Sequence, residues 1–136
     1  MEVWEIMTTN VECIAPEITL QDAANKMKSL DVGFLPICDN DRLVGTLTDR
    51  DIVIRAIAAG QDCKTAVKNV MSGEVFFCFA DEDVETCADH MKEKEVKRML
   101  VLDRNKRLVG VVSLGDLSKA HESAAGDALK DISEAA

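Results

Sequence analysis

The sequence predicts an α/β fold in which two copies of a β-α-β-β-α unit pack with pseudo-two-fold symmetry. Apolar runs with strand and helix periodicity follow the same order twice along the chain. The passage at residues 43–52 returns at residues 108–117, with Gly45 and Gly110 separated by 65 residues. This period is longer than that of solenoid repeats, so we infer an internal duplication. One copy alone would have a marginal core, and two copies that bury their sheet faces together would leave paired clefts.

The first copy contains a strand, a helix, a two-stranded hairpin and a second helix. These elements are predicted, in chain order, at residues 11–14, 19–31, 33–38, 43–48 and 51–60. Pro16 ends the first strand, Thr19 is a good N-cap residue, and Gly60 ends the last helix. The turn at residues 39–42 is rich in Asp and Asn, which is typical of a hairpin.

The second copy repeats this order. Its predicted elements are a strand at 75–79, a helix capped by Asp83, strands at 98–102 and 108–112, and a helix from Asp116. Early equivalent positions lie 64 residues apart and later ones 65, which places one extra residue in the second hairpin turn. The predicted domains are repeat 1 at residues 6–60, a linker at 61–69, repeat 2 at 70–121, and an acidic, Ala-rich tail at 122–136.

The composition narrows the possible functions. A net charge of −9 repels phosphate backbones and anionic lipids, so neither nucleic acid nor a membrane is an expected partner. No apolar run approaches the ~20 residues of a membrane-spanning helix, and no signal segment opens the chain, so the cytoplasm is the expected compartment. The five cysteines form no C-x-x-C pair, which favours buried thiols over disulfides or a metal site. His90 lies on the polar side of its helix and is expected to be exposed.

A hydroxyl and a carboxylate recur together where the hairpin of each copy meets its last helix. Thr48 precedes Asp51, and Ser113 precedes Asp116 at the same spacing. Because a hydrophobic core requires neither group, their joint return indicates a paired ligand site. Each residue could instead be a helix cap without a ligand, and both interpretations stay open at this point.

A glycine stands three residues before each Thr or Ser and six before each Asp, and this pattern resembles the signature of CBS (cystathionine β-synthase) domains. It occurs twice, as in the tandem CBS pair called a Bateman module, and the resemblance covers about residues 6–121. It implies a stand-alone, non-catalytic regulatory protein of bacterial or archaeal type. Its expected ligand is an adenine nucleotide (AMP, ADP, ATP or an NAD-like molecule) in clefts between the repeats, with no catalytic cofactor.

The resemblance also assigns roles to particular residues. Ribose and phosphate binding is assigned to Thr48, Asp51, Ser113 and Asp116. The adenine pocket candidates are Ile14, Ala15, Val32, Gly33, Phe34, Phe79, Ala80 and Val96. One cleft would combine the first hydroxyl–carboxylate pair with residues 76–80 and 96–98, and the other would combine the second pair with residues 13–15 and 32–34.

Four basic residues are the phosphate candidates: Lys97, Arg98, Arg50 and Arg55. The first two interrupt an apolar run where repeat 1 has Gly33 and Phe34. Two cations at the start of a strand can hold phosphate oxygens, so the Asp51 cleft is expected to be the better anion site. A solvated strand end and surface salt bridges are the alternatives for these cations.

Three other functions stay open. The module could be a scaffold whose clefts remain empty and whose helices only dimerise, an S-adenosylmethionine sensor, or an enzyme that acts on nucleotides. Cationic S-adenosylmethionine fits poorly with Lys97 and Arg98, and the sequence has neither a nucleophile paired with His nor a glycine-rich phosphate loop. We expect a homodimer, as is common in the family, that acts through a regulated protein partner.

Overall fold

The structure, a computed structural model, describes the backbone of residues 1–124 and the side chains of residues 1–120. Most of the tail predicted at residues 122–136 therefore lies outside the described residues. The helices are α1 (Leu20–Leu30), α2 (Asp49–Asp51), α3 (Val84–Lys94) and α4 (Leu114–Ala124). The strands are β1 (Phe34–Asp39), β2 (Arg42–Thr48), β3 (Phe77–Phe79), β4 (Arg98–Leu102) and β5 (Leu108–Ser113). This mixture of helices and strands confirms the predicted α/β class.

The chain folds into two compact units. The repeat-1 unit is Glu12–Val75, and the repeat-2 unit combines Met1–Val11 with the chain from Phe76 onward. A short 3-10 helix, Val67–Asn69, lies in the repeat-1 unit, and its equivalent 64 residues earlier, Val3–Glu5, lies in the repeat-2 unit. The repeat-1 unit therefore includes the segment that precedes repeat 2 in the chain, and the repeat-2 unit includes the segment that precedes repeat 1.

The two hairpins differ in their turns. In the repeat-1 unit, Asn40 and Asp41 connect β1 to β2 with φ values of 50° and 69°, which are typical of a two-residue hairpin turn. In the repeat-2 unit, the turn between Asp103 and Arg107 holds three residues, and the Asp103 N–H donates to the Arg107 carbonyl at 2.9 Å. The extra residue expected in the second turn is confirmed.

The strand predicted at residues 11–14 is wrong. Of these residues only Ile14 pairs, as an isolated parallel bridge with Ile37. Its N–H donates to the Pro36 carbonyl at 3.0 Å. A longer parallel ladder would require the N–H groups of Pro36 and Pro16, and proline has none.

The repeat-2 unit has Ala80 and Leu100 at the positions equivalent to these prolines, and both residues have an N–H group. Ala80 donates its N–H to the Leu102 carbonyl at 2.9 Å, and β3 pairs with β4 in parallel over three residues. The sheet order is β3-β4-β5, with β5 antiparallel to β4. The strand predicted at residues 75–79 is confirmed from Phe77 onward.

The predicted helix ends are largely confirmed. Thr19 caps α1, because its Oγ1 accepts the Asp22 N–H at 3.1 Å, and Asp31 ends the helix in the left-handed conformation. After α2 the chain continues as a π-helix (Ile52–Ile57), and Gly60 then stops it with a φ of 79°. No helix among the described residues is long and apolar enough to span a membrane.

Each unit has its own hydrophobic core. The repeat-1 core consists of Ile14, Leu20, Ala23, Met27, Leu35, Ile37, Leu47, Ala56, Val67 and Val70. The repeat-2 core consists of Val3, Cys78, Cys87, Met91, Met99, Val101, Val112 and Leu117. The expectation of buried thiols is confirmed for Cys38, Cys78 and Cys87, and it is wrong for Cys13 and Cys63, which are exposed. His90 has a side chain 45% exposed, as expected.

Candidate functional site

The junction between β2 and α2 is closed by a reciprocal pair of hydrogen bonds. The Asp51 N–H donates to Thr48 Oγ1 at 3.0 Å, and the Thr48 N–H donates to Asp51 Oδ2 at 2.9 Å. Thr48 is the N-cap, so α2 begins at Asp49, two residues earlier than the sequence predicts. This arrangement is a capping box, which satisfies two N–H groups that the helix itself leaves unpaired.

The junction between β5 and α4 repeats this geometry. The Asp116 N–H donates to Ser113 Oγ at 3.1 Å, and the Ser113 N–H donates to Asp116 Oδ2 at 2.9 Å. The helix again begins two residues early, at Leu114. A capping role is therefore confirmed for both pairs. It gives their recurrence a structural cause that requires no ligand.

Capping leaves each carboxylate able to accept further hydrogen bonds. An ionised carboxylate has about four acceptor positions on its two oxygens, and the capping box uses one of them. The Asp51 side chain is 18% exposed, so part of it can be reached from solvent while the box fixes its direction. The positive end of the helix dipole also stabilises the negative charge. Such a fixed carboxylate is suited to bind hydroxyl groups.

The glycine of each pattern allows a neighbouring backbone segment of its own unit to approach the strand. A Cβ atom on Gly45 would lie 2.8 Å from the Ser72 carbonyl oxygen. A Cβ atom on Gly110 would lie 2.9 Å from the Thr8 carbonyl oxygen. Both distances are too short for a real carbon–oxygen contact. All three residues of the repeated pattern therefore have a structural role.

The two junctions differ in their nearby cations. Arg55, four residues after Asp51, places Nε 3.8 Å from Asp51 Oδ1 and a terminal guanidinium nitrogen 3.5 Å from the Val70 carbonyl oxygen. The equivalent position in repeat 2 is the buried Ala120. Arg55 therefore partly neutralises the negative charge of Asp51, whereas the equivalent Ala120 brings no positive charge to Asp116.

Lys97 and Arg98 lie beside the second capping box in the repeat-2 unit. The Lys97 carbonyl accepts the Leu114 N–H at 3.0 Å, and Arg98 is directly opposite Ser113 in the antiparallel register. Directly opposed residues have their side chains on the same face of a sheet. Lys97 and Arg98 are both exposed. The unit thus combines a hydroxyl, a carboxylate and two cations at one end of β4 and β5.

Gly33 and Phe34 occupy the same place in the repeat-1 unit. The Gly33 carbonyl accepts the Asp49 N–H at 3.0 Å, and Phe34 is opposite Thr48. A Cβ atom on Gly33 would lie 2.8 Å from Asp49 Oδ2, so a glycine lets this carboxylate approach the chain. A groove of about 530 Å³ lies beside them, lined by Ala24, Met27, Lys28, Asp31, Val32, Gly33, Asp49, Ile52 and Val53.

The remaining adenine candidates differ in exposure. Ile14 is 5% exposed and belongs to the repeat-1 core, whereas Ala15 is exposed. Phe79, Ala80 and Val96 are half-buried in the repeat-2 unit. Of these five side chains, Ile14 is therefore the one least accessible to a ligand.

Sequence reasoning missed Arg104, which organises the surface around Phe79. Its guanidinium carbon lies 4.1 Å from the centre of the Phe79 ring, and its nitrogens donate to both carboxylate oxygens of Asp81 at 2.6–3.0 Å. These hydrogen bonds hold the pKa of Asp81 below its usual value. The contact joins residues 23 positions apart, so no local sequence pattern indicates it.

No metal-binding cluster is found among the residues whose side chains are described. No group of three or more His, Cys, Asp or Glu side chains there is arranged to hold a metal ion.

Comparisons with known proteins extend these observations. The sequence matches the CBS domain family at residues 3–57 and again at residues 67–123. The CBS domain-containing protein YhcV of Bacillus subtilis (strain 168) is 39% identical over 133 residues, which cover 96% of this chain and 94% of that protein. Hypoxic response protein 1 of Mycobacterium tuberculosis (strain CDC 1551 / Oshkosh) is 39% identical over 117 residues, 85% of this chain and 81% of that protein.

Two solved structures have the same fold. Hypoxic Response Protein I, solved with two coordinated zinc ions, has a TM-score of 0.78 at 37% identity, covering 88% of this chain and 98% of that chain. The CBS domain pair of protein MJ0100, in complex with 5′-methylthioadenosine and S-adenosyl-L-methionine, has a TM-score of 0.72 at 28% identity, covering 88% of this chain and 94% of that chain.

The fold and the two capped strand–helix junctions define a tandem-repeat α/β module of the regulatory kind. The chain belongs to the CBS domain family, and the two matched ranges confirm the two repeats that the sequence predicts.

Proposed function

We propose that this protein is a non-catalytic sensor that binds an adenine nucleotide (AMP, ADP or ATP) through the Thr48–Asp51 and Ser113–Asp116 pairs. The observation that carries the proposal is that both carboxylates are held in a fixed direction at a helix start by a capping bond, which uses one of the roughly four acceptor positions of each. A related protein, MJ0100, has been solved with two adenosyl compounds, which supports a ligand that contains adenosine.

The ribose of such a ligand carries two adjacent hydroxyl groups. A carboxylate can accept a hydrogen bond from each of them, and charge-assisted bonds of this kind contribute on the order of 1.5–3 kcal/mol each. The phosphate would be held by Lys97 and Arg98, with Arg able to bind two oxygens at once. The remaining adenine and phosphate candidates from the sequence complete the proposed site.

Titration calorimetry with AMP, ADP, ATP and NAD tests the proposal. Asp51→Ala should weaken nucleotide binding tenfold or more, because the loss of ~1.4 kcal/mol is a factor of ten. Thr19→Ala is the matched control, since it removes one capping hydrogen bond of the same kind from α1 in the same unit. If the two variants bind equally well, the ribose role of Asp51 is refuted. Flat traces with all four nucleotides would favour the scaffold function.

The phosphate role has a separate test. Replacing Lys97 and Arg98 together by Ala should weaken the binding of ATP and AMP more than that of adenosine, because only the phosphates gain from the two cations. Equal losses for the three ligands would count against a phosphate role.

S-adenosylmethionine is the second candidate ligand, and the complex of the MJ0100 pair favours it. It carries a positive sulfonium centre, which two neighbouring cations repel. Competition between S-adenosylmethionine and AMP for the same protein decides between the two. If S-adenosylmethionine displaces bound AMP at a lower concentration than AMP needs to displace bound S-adenosylmethionine, the preferred ligand would be S-adenosylmethionine.

We also propose that the protein forms a homodimer through an apolar face of its π-helix. Val53, Ile54 and Ile57 lie on this face and are 55%, 53% and 61% exposed. The equivalent residues of α4 are Ser118, Lys119 and Glu122, which are polar. A two-fold contact brings identical surfaces together, so an apolar patch on one repeat favours pairing of that repeat with itself.

Sedimentation measures the assembly. Ile57→Lys should shift the protein from dimer towards monomer, because the contact would then bury two like charges. Ser118→Lys is the control, since it places the same charge at an exposed position of α4. A dimer that withstands Ile57→Lys, or a wild-type protein that remains monomeric, would contradict this interface.

A further inference from the structure

Two cysteines of the repeat-2 unit form a buried pair. The Sγ atoms of Cys78 on β3 and Cys87 on α3 lie 3.4 Å apart, and both residues are 0% exposed. A disulfide requires the sulfurs to approach to about 2.05 Å, so the two sulfurs must move about 1.35 Å closer to bond.

The fold itself does not require a thiol at either position. The equivalent residues of repeat 1 are Ile14 and Ala23, and both lie in the repeat-1 core. An aliphatic pair therefore satisfies the packing between the strand and the helix. Repeat 1 has no thiol at either of these two positions.

We propose that Cys78 and Cys87 are a redox modification site, at which a hydroperoxide converts the two thiols into a disulfide within the repeat-2 unit. This inference is independent of the proposed nucleotide binding. One thiol gives up its proton, and the thiolate attacks the terminal oxygen of the peroxide. The O–O bond breaks, a sulfenic acid forms, and the leaving hydroxide or alkoxide takes up that proton to become water or alcohol. The second thiol attacks the sulfenic sulfur, the S–S bond forms, and the oxygen leaves as water. The thiols lose two electrons and two protons, which the peroxide takes up.

A hydrogen bond joins the two thiols, and Cys87 Sγ donates to Cys78 Sγ at 3.4 Å. The thiolate is the nucleophile, and this short distance keeps the second sulfur within reach of the sulfenic sulfur that forms at the first.

The N-terminal segment covers the pair and controls access to it. Val3 is fully buried in the same core cluster as both cysteines. Its N–H donates to the Glu82 carbonyl at 2.9 Å, and the Met1 carbonyl accepts the Val84 N–H at 3.0 Å. Glu82 and Val84 lie between the two cysteines in the chain. A segment outside the central strands opens locally more readily than the core, so its opening admits the peroxide.

The test is peroxide treatment of the full chain, followed by intact mass and peptide mapping. Peptide mapping of the wild-type protein should recover Cys78 and Cys87 joined by a disulfide, two mass units lighter than the reduced pair. The control variants copy repeat 1: Cys87→Ala and Cys78→Ile should fold and should not form this link. In each single variant the remaining thiol has no resolving partner, so its sulfenic acid should be trapped as a dimedone adduct.

Val3→Ala tests the role of the cover. Loss of two buried methyl groups should raise the rate of disulfide formation about tenfold at fixed peroxide concentration. The proposal is overturned if both cysteines remain alkylatable at a peroxide dose that oxidises the exposed Cys13. An unchanged rate in the Val3→Ala variant would overturn the assignment of the cover.

Discussion

The substitution Gly45→Ala tests the packing of the signature glycine. A Cβ atom at this position would lie 2.7 Å from Met71 Sδ and 2.8 Å from the Ser72 carbonyl oxygen. The methionine side chain can move, but the Ser72 backbone is held in place. It exchanges two hydrogen bonds with Thr46, at 3.0 Å and 2.9 Å. The added methyl group must therefore separate this segment from β2.

The expected loss of stability has two parts. Overpacking in a buried position costs about 1–3 kcal/mol. The two backbone hydrogen bonds contribute about 0.5–1.5 kcal/mol each, and both are weakened. Together they predict a loss of roughly 2–4 kcal/mol in the free energy of unfolding. At about 3–5 °C per kcal/mol for a chain of this size, the melting temperature should fall by roughly 6–20 °C.

Thermal unfolding followed by circular dichroism measures the effect, and Gly73→Ala supplies the control. Gly73 lies one residue after Ser72, and a Cβ atom there would meet nothing within 4 Å. Gly73→Ala should therefore change stability by no more than about 0.5 kcal/mol. Equal melting temperatures for the two variants would refute the packing argument. Faster amide exchange at Thr46 and Ser72 in the Gly45→Ala variant would place the damage where we expect it.

Two further predictions follow from the division into units and from the Arg104 contact. Val3→Ala should accelerate amide exchange in β3, β4 and β5, and Val67→Ala should do so in β1 and β2, because each valine is fully buried in that unit. Faster exchange in β1 and β2 of the Val3→Ala variant, or in β3, β4 and β5 of the Val67→Ala variant, would contradict the division into these two units. Arg104→Ala should raise the pKa of Asp81 towards its ordinary value in an NMR titration, whereas Arg107→Ala should not. Because the folded-state pKa is lowered, the stabilisation from this exposed pair is present above the ordinary pKa and disappears as the pH falls through the lowered value.

The prediction at residues 11–14 failed for a reason that lies outside that segment. Its composition suits a strand, but Pro16 lacks the N–H that would continue the pairing past Ile14. The second limit is Pro36, a residue of the partner strand that lacks the N–H needed to extend the ladder. The strand at 75–79 was predicted correctly from the same pattern because its partner has Leu100 at that position. The sequence of one segment does not show whether its partner strand has the N–H donors that the ladder requires.

The candidate site could be predicted in part. Spacing alone identified Thr48 with Asp51 and Ser113 with Asp116, because a duplication repeats local patterns. It could not decide between a cap and a ligand contact, since both use the same atoms at a helix start. Contacts between distant residues, such as that of Arg104 with Asp81, depend on how turns and strand ends meet in space, and no local pattern contains that information.

Residues shared by the repeats and residues that differ between them carry different parts of the function. The glycine, hydroxyl and carboxylate of each pattern have a structural role in both units, so stability alone would preserve them. We propose that discrimination between ligands comes from positions where the repeats diverge. The cation pair Lys97–Arg98 stands where repeat 1 has Gly33 and Phe34, and Arg55 stands where repeat 2 has an alanine. If the nucleotide proposal is correct, exchange of these residues between repeats should alter which anionic group is bound while leaving both capped helices intact. Ligand preference that is unaffected by such an exchange would show that these divergent residues do not set it.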